Sequence, residues 1–139
     1  MLTALENASI DPIQSETGNY SQDELHAMQR AVIKLFDKWG VSDVDAAVLL
    51  GGIAAKTYRR WKDGDYGRVN RDLADRMSNL LGIHKALRII FTNPAQAYGW
   101  IKSENKSLGG RMPLAIMMQG GMNDIVRIRR YLDSVRGGW

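Results

Sequence analysis

The chain contains no cysteine among its 139 residues and only three prolines. The lack of cysteine excludes disulfide bonds and thiolate metal sites, which suits a protein of the reducing cytoplasm. No apolar run approaches the roughly 20 residues that span a bilayer, and the first residues lack the basic start and apolar core of a signal peptide. The sequence therefore predicts a cytoplasmic protein without a membrane segment, consisting of one domain or two small ones.

The net charge of +4 hides an uneven distribution along the chain. Residues 1–45 carry three basic and eight acidic side chains, whereas residues 53–91 carry nine basic and four acidic ones. A basic surplus confined to one part of a chain indicates a surface for a polyanion such as nucleic acid. A solvated helix face has the same composition, so charge alone leaves both interpretations open.

Hydrophobic periodicity predicts helices throughout the chain, and no stretch alternates in the manner of a β-strand. Ser21 and Glu24 have the spacing of a capping box, which predicts that a helix begins there. Gly82 is expected to interrupt a later helix, and Asn123 is expected to cap the last one. The predicted fold class is therefore all-α, with residues 1–19 as a flexible leader.

Residue types that form common catalytic sites are scarce. The two histidines, His26 and His84, stand in no metal-binding motif, and the glycine pairs form neither Gly-x-Gly-x-x-Gly nor a P-loop. These glycines fall where helices are expected to end. No catalytic residue, metal ligand or cofactor is therefore predicted, and the chain is not expected to be an enzyme.

Residues 42–62 have the layout of a helix-turn-helix: a short helix, a glycine turn and a basic helix. Tyr58 and Trp61 can face inward, which leaves the basic side chains of the second helix outside. In this motif the second helix enters the major groove, where arginine can bond guanine and lysine mostly meets phosphate. The residues predicted to contact DNA are Lys56, Thr57 and Arg60 nearest the groove, with Arg59 and Lys62 on backbone or bases. An ordinary amphipathic helix is the alternative that this pattern leaves open.

A second distinctive stretch, residues 100–114, is predicted to form a corner between two short helices. The first helix opens at Pro94 and closes at Trp100 and Ile101. Gly109 and Gly110 can take the positive φ that a tight loop needs. Pro113 suits the first position of the next helix, because the N–H that proline lacks would be unpaired there.

Four stretches resemble the Xre/MbcA/ParS antitoxins. Residues 44–52 and 56–61 are similar to the Xre-like helix-turn-helix of these proteins, and residues 73–87 also resemble the family. The corner resembles their toxin-binding domain in carrying Trp100-Ile101, Asn105, Leu108, Gly110 and Pro113-Leu114. Together the resemblance covers roughly residues 21–137.

The chain departs from the family pattern at two places. The recognition helix of these antitoxins usually begins at a serine or similar cap, where this chain has Ala54-Ala55. The toxin-binding loop often carries a Pro-Asn pair, where this chain has Glu104-Asn105.

The resemblance implies an antitoxin of a type II toxin–antitoxin system. Residues 20–91 would form the Xre-like helix-turn-helix and dimerisation domain, which binds the operator of its own operon as a homodimer and represses it. Residues 92–139 would form the toxin-binding domain, which blocks a RES-domain toxin, an enzyme that consumes NAD. In such antitoxins the last helix and the tail reach toward the NAD pocket of the toxin. This assigns toxin contacts to Arg127, Arg130, Arg136, Gly137, Gly138 and Trp139.

The alternative is a stand-alone helix-turn-helix transcriptional regulator. In that case the residues after Phe91 would serve dimerisation or effector binding. The two hypotheses differ in the genome neighbourhood, since only an antitoxin is expected beside a toxin gene.

Overall fold

The computed structural model describes residues 20–137, and within that range the chain forms seven α-helices and two 3₁₀ turns but no β-strand. The predicted all-α fold is confirmed for this range. The predicted leader, residues 1–19, lies outside the described residues. None of the helices between residues 20 and 137 is long and apolar enough to cross a membrane.

In chain order, the helices are α1 (Gln22–Trp39), α2 (Asp43–Leu49), α3 (Ala55–Lys62), α4 (Arg71–Ile90), α5 (Pro94–Gly99), α6 (Pro113–Met117) and α7 (Met122–Val135). The two 3₁₀ turns, Trp100–Lys102 and Lys106–Leu108, lie between α5 and α6.

Helix α1 begins as its sequence predicts. The backbone N–H of Glu24 donates to Ser21 Oγ at 3.1 Å, and the backbone N–H of Ser21 donates to Glu24 Oε1 at 2.9 Å. These reciprocal bonds satisfy two N–H groups that would otherwise lack a partner at the start of a helix. Hydrogen bonding by the Glu24 carboxylate also lowers its pKa. The capping box is therefore confirmed.

Helices α2 and α3 form the predicted helix-turn-helix. Ser42 caps α2, since its hydroxyl accepts from the backbone N–H of Asp45 at 3.1 Å. The turn contains Gly51 and Gly52 at φ +92° and +88°, a region that disfavours residues with a Cβ. Ile53 follows them and packs, half-buried, against the core. The glycine pair thus permits the sharp turn that brings α3 back across α2.

Helix α4 is continuous from Arg71 to Ile90, so the predicted interruption at Gly82 is wrong. The guanidinium of Arg129, from α7, lies so close to Gly82 that a Cβ at this position would overlap with it. Gly82 therefore permits close packing of α4 against α7 and does not break the helix. Since α4 packs against α1 on one side and α7 on the other, it is the central helix of the fold.

The corner between α5 and α6 forms as expected, with Gly109 and Gly110 at φ +71° and +78° and Pro113 at the start of α6. Asn105 stabilises it, because its side-chain Oδ1 accepts from the N–H of Ser107 at 2.8 Å. Its backbone carbonyl also accepts from Gly110 at 2.9 Å.

The start of α7 differs from the prediction. Helix α7 begins at Met122, and Asn123 is not its cap. The carboxylate of Asp124 instead reaches back and accepts from the backbone N–H of Gly121 at 3.0 Å. A carboxylate in the first turn is also favourable beside the positive end of the helix dipole.

A single contiguous core runs through the described part of the chain. Every helix contributes a buried side chain to it: Leu25, Leu49, Trp61, Leu80, Ala97, Ile116 and Ile128, in chain order. The predicted division of the chain at residue 91 falls just past the end of α4 and stays a prediction.

Candidate DNA-binding and toxin-binding surfaces

Helix α3 is fixed to the fold by two aromatic side chains. Tyr58 and Trp61 are both buried, with ring centroids 6.0 Å apart, and the Tyr58 ring lies 6.0 Å from that of Phe36 in α1. At 3.6 residues per turn, the face opposite this pair is occupied by Lys56, with Arg59 and Arg60 on either side of it. The packing therefore presents a cationic face to the outside.

The predicted DNA-contacting residues divide into two groups. Lys56 and Arg60 are exposed, and no carboxylate within residues 20–137 pairs with either of them. Arg59 and Lys62 are also exposed, but both face Asp43 of α2. Thr57 is half-buried. The N-cap residue of α3, Ala54, provides no side-chain cap, in keeping with the departure noted in the sequence.

Asp43, Arg59 and Lys62 form a group that we call the Asp43 cluster. Lys62 Nζ donates to Asp43 Oδ1 at 2.6 Å, and Arg59 Nη1 lies 3.9 Å from Asp43 Oδ2. Lys62 Nζ also lies 5.6 Å from the centroid of the Tyr58 ring. The sequence pattern did not reveal this cluster, because Asp43 precedes Arg59 by 16 positions. In the sequence, Asp43 is explained by the favourable interaction of a carboxylate with the start of α2.

Tyr58 is also affected by its position between α1 and α2. Burial, followed by the nearby carboxylates of Asp43 and Asp37, raises the pKa of its hydroxyl from 10 to about 12. The folded state therefore holds a proton that the unfolded state releases near pH 10. This contribution to stability is complete below pH 10 and is lost as the pH rises to about 12.

We expect the free energy of unfolding to fall across this window at a slope of up to about 1.4 kcal/mol per pH unit from Tyr58 alone. Urea unfolding of the native protein and Tyr58→Phe at a series of alkaline pH values measures the difference. Phenylalanine keeps the ring but cannot ionise, so it should lack this component. Identical slopes for the two proteins would show that Tyr58 does not titrate differently on folding.

The outer face of α7 carries the predicted toxin-binding arginines. Arg127 and Arg130 are exposed, and neither has an ion-pair partner within the described residues. Arg136 lies just past the helix, with Nη1 3.7 Å from Asp133 Oδ1. Gly137 is the last described residue, and the predicted contacts Gly138 and Trp139 lie outside that range. Arg127 and Arg130 thus share a free surface, whereas Arg136 has a local partner.

The corner positions α7 through an aromatic stack. The rings of Trp100 and Tyr131 lie nearly parallel, 10° apart in orientation, with centroids separated by 6.1 Å. Ile101 beside it is fully buried. The corner formed by residues 100–114 therefore makes a direct contact with the arginine-bearing helix.

His84 in α4 packs against α5. Its ring stacks on that of Tyr98 at 4.8 Å, and Nδ1 is buried without a hydrogen-bond partner. Burial, and then the charge of Arg88, lowers the pKa of His84. Its surroundings are those of a packed side chain, and no group of three or more His, Cys, Asp or Glu residues between positions 20 and 137 is placed to hold a metal ion.

Arg76 connects the two surfaces. It is only 8% exposed; Nε donates to Asp72 Oδ2 at 2.9 Å and Nη1 donates to the carbonyl of Gly120 at 2.9 Å. Its guanidinium also lies against Gly51, where an added Cβ would come within 2.8 Å of Nε. One buried side chain of α4 thus touches both the turn of the helix-turn-helix and the loop before α7.

Comparisons with known proteins agree with this geometry. A model of the antitoxin Xre-like helix-turn-helix domain matches residues 21–82, and a model of the antitoxin Xre/MbcA/ParS C-terminal toxin-binding domain matches residues 86–138. The uncharacterized protein y4oB of Sinorhizobium fredii is 35% identical over 128 residues, which cover 92% of this chain and 98% of that protein.

The fold and the first match define a helix-turn-helix protein that binds DNA, and the second match adds a domain that binds a toxin. The chain belongs to the Xre/MbcA/ParS antitoxins and acts as an antitoxin of a toxin–antitoxin system. The resemblance seen in the sequence is confirmed at this level.

Proposed function

We propose that this antitoxin neutralises a RES-domain toxin, an enzyme that consumes NAD, and represses its own operon in the cytoplasm as a homodimer. The chain itself catalyses no reaction in this role and needs no cofactor. The observation that carries the proposal is the presence of two exposed cationic surfaces on two helices of one core. One is the face of α3 and the other is the outer face of α7.

The DNA-binding part of the proposal rests on α3. Its exposed face offers cations to phosphates, and Arg60 has the planar guanidinium that can bond both O6 and N7 of guanine. Proteins with this motif bind as dimers to two half-sites about one helical turn apart, which suits a homodimer on a palindromic operator.

Replacing Arg60 with alanine is expected to weaken operator binding by about 1–3 kcal/mol if Arg60 makes a bidentate base contact. Anisotropy titration of the DNA upstream of the gene measures the affinity. Arg88→Ala serves as the matched control, since Arg88 is an exposed arginine of α4 outside the helix-turn-helix. Equal affinities for the native protein and Arg60→Ala would remove Arg60 from the groove.

The toxin-binding part rests on α7. Residues 92–139 carry seven basic and three acidic side chains, and Arg127 and Arg130 are the exposed, unpaired arginines of α7 in the described range. Carboxylates commonly bond the ribose hydroxyls of NAD in the pockets that accept it, and arginines at the mouth of such a pocket can pair with them.

Reversing both charges, as Arg127→Glu with Arg130→Glu, is expected to weaken toxin binding by about tenfold or more, mainly through repulsion at the interface. Titration of purified toxin with each antitoxin, read as residual NAD consumption, measures this. Lys34→Glu with Lys85→Glu reverses two exposed charges elsewhere and should neutralise like the native protein. Undiminished neutralisation by the Arg127 and Arg130 variant would place the interface on another surface.

The toxin's identity is tested by co-expression with the product of the adjacent open reading frame. That product should arrest growth and deplete NAD when expressed alone, and should do neither in the presence of the antitoxin. An adjacent product that is harmless alone favours the stand-alone regulator. A toxin that arrests growth without consuming NAD would retain the antitoxin and exclude the RES assignment.

A further inference from the structure

The Asp43 cluster brings a carboxylate to the edge of the DNA-binding face. Lys62 bonds Asp43 at 2.6 Å and Arg59 approaches it at 3.9 Å, while the two basic side chains remain 42% and 55% exposed. These cations are therefore held by a carboxylate and remain accessible to solvent. Lys56 and Arg60 on the same helix have no such partner within residues 20–137.

The Asp43 carboxylate is partly shielded from solvent. Asp43 is the first residue of α2, directly after the capping residue Ser42, and its side chain is 27% exposed. Helix α3 is fixed opposite it by the buried Tyr58 and Trp61. Asp43 can therefore hold Arg59 and Lys62 in defined positions relative to the rest of α3.

We propose that Asp43 is a positioning residue that makes α3 selective for its operator over other DNA. The inference rests on the proposed operator binding. In this role Asp43 restrains Arg59 and Lys62, which would otherwise bind the phosphates of any DNA.

Phosphate contacts by Arg and Lys supply affinity that is independent of sequence and falls steeply with salt. A carboxylate beside two such cations removes one unit of positive charge from the face and repels phosphates, so it weakens binding to all DNA. In the operator complex this loss of affinity is partly offset. An Arg59 or Lys62 side chain that Asp43 already holds in place loses less conformational entropy when it bonds a base or a defined phosphate. DNA of unrelated sequence offers no matching partner, so the offset is missing there.

The test measures the affinity of the full chain for the duplex upstream of its own gene and for a shuffled duplex of equal length and composition, across a series of salt concentrations. For Asp43→Asn we expect the shuffled duplex to bind about fivefold to tenfold more tightly at roughly 0.1 M salt. The slope of log K against log salt should steepen by about one unit. Operator affinity should rise less, so the ratio of operator to shuffled affinity falls.

Asp45→Asn is the matched control. It removes the same charge from the same first turn of α2, and no ion pair involves Asp45 within the described residues. Asp45→Asn should change the affinities for the operator and the shuffled duplex by the same factor and leave their ratio unchanged. Asp43→Glu, which keeps a carboxylate at this position, should have nearly the native ratio. A ratio for Asp43→Asn equal to that of Asp45→Asn would overturn the proposal, because the effect would then be one of net charge.

A second set of variants keeps Asp43 and so does not depend on the folding of Asp43→Asn. Because Asp43 already restrains Lys62, Lys62→Gln should reduce affinity for the shuffled duplex less than Lys56→Gln does, and should change the salt slope less. Equal losses would overturn the inference. A native protein that fails to prefer its own upstream DNA would instead overturn the proposed autorepression, so the two failures are distinguishable.

Discussion

Replacing Trp61 with alanine is expected to lower the free energy of unfolding by about 3–5 kcal/mol. The indole is 1% exposed and belongs to the contiguous core, so its removal leaves a large cavity between α3 and the rest of the fold. Domains of this kind have a total stability of about 5–15 kcal/mol, so the loss is a large fraction of it. Urea unfolding measures the change, and operator affinity should fall with it because α3 loses its anchor.

Trp100→Ala is the matched control for this substitution. Trp100 is half-buried and stacks on Tyr131, a type of contact worth about 0.5–1.5 kcal/mol beyond area burial. Its loss should therefore cost less stability and should leave operator binding intact. Similar losses for the two variants would contradict the assignment of Trp61 as the main anchor of α3.

Replacing Arg76 with methionine is expected to cost about 2–3 kcal/mol. Methionine can fill part of the space but cannot donate to the carbonyl of Gly120, which would remain without the 2.9 Å bond that it accepts from Nη1. Methionine would also lack the planar guanidinium that lies against Gly51. The midpoint of urea unfolding and the melting temperature measure this loss.

Asp72→Asn separates the ion pair from the rest of the Arg76 contacts. The Asp72 side chain is 60% exposed, and exposed ion pairs contribute at most about 1 kcal/mol. This variant should therefore be much less destabilised than Arg76→Met. If both variants lose the same stability, the ion pair and not the bond to Gly120 is the contact that matters.

Local features were predictable because nearby residues determine them. The Ser21 and Glu24 capping box, the glycine turn before α3 and the loop at Gly109 and Gly110 all depend on backbone groups within a few positions. The buried faces of the helices follow from periodicity in the same way. The face of α3 that carries Lys56 and Arg60 was predictable for this reason.

Contacts between distant segments were not predictable from local patterns. Gly82 looks like a helix breaker until the Arg129 side chain of α7 is placed beside it. The spacing of Asp72 and Arg76 is that of a surface ion pair, yet Arg76 is buried, with its guanidinium against Gly51 and bonded to the carbonyl of Gly120. The Asp43 cluster likewise depends on how α2 and α3 cross. Which of the predicted DNA-contacting cations are restrained is therefore known only from the structure.

The two matched family domains meet between residues 82 and 86, inside the unbroken helix α4. A chimera that joins the DNA-binding domain of one such antitoxin to the toxin-binding domain of another must therefore have its junction within a helix and not within a linker. Each residue added or removed at such a junction turns everything that follows by about 100° relative to the DNA-binding half. Chimeric antitoxins of altered toxin specificity will keep their architecture only if the splice preserves the helical phase.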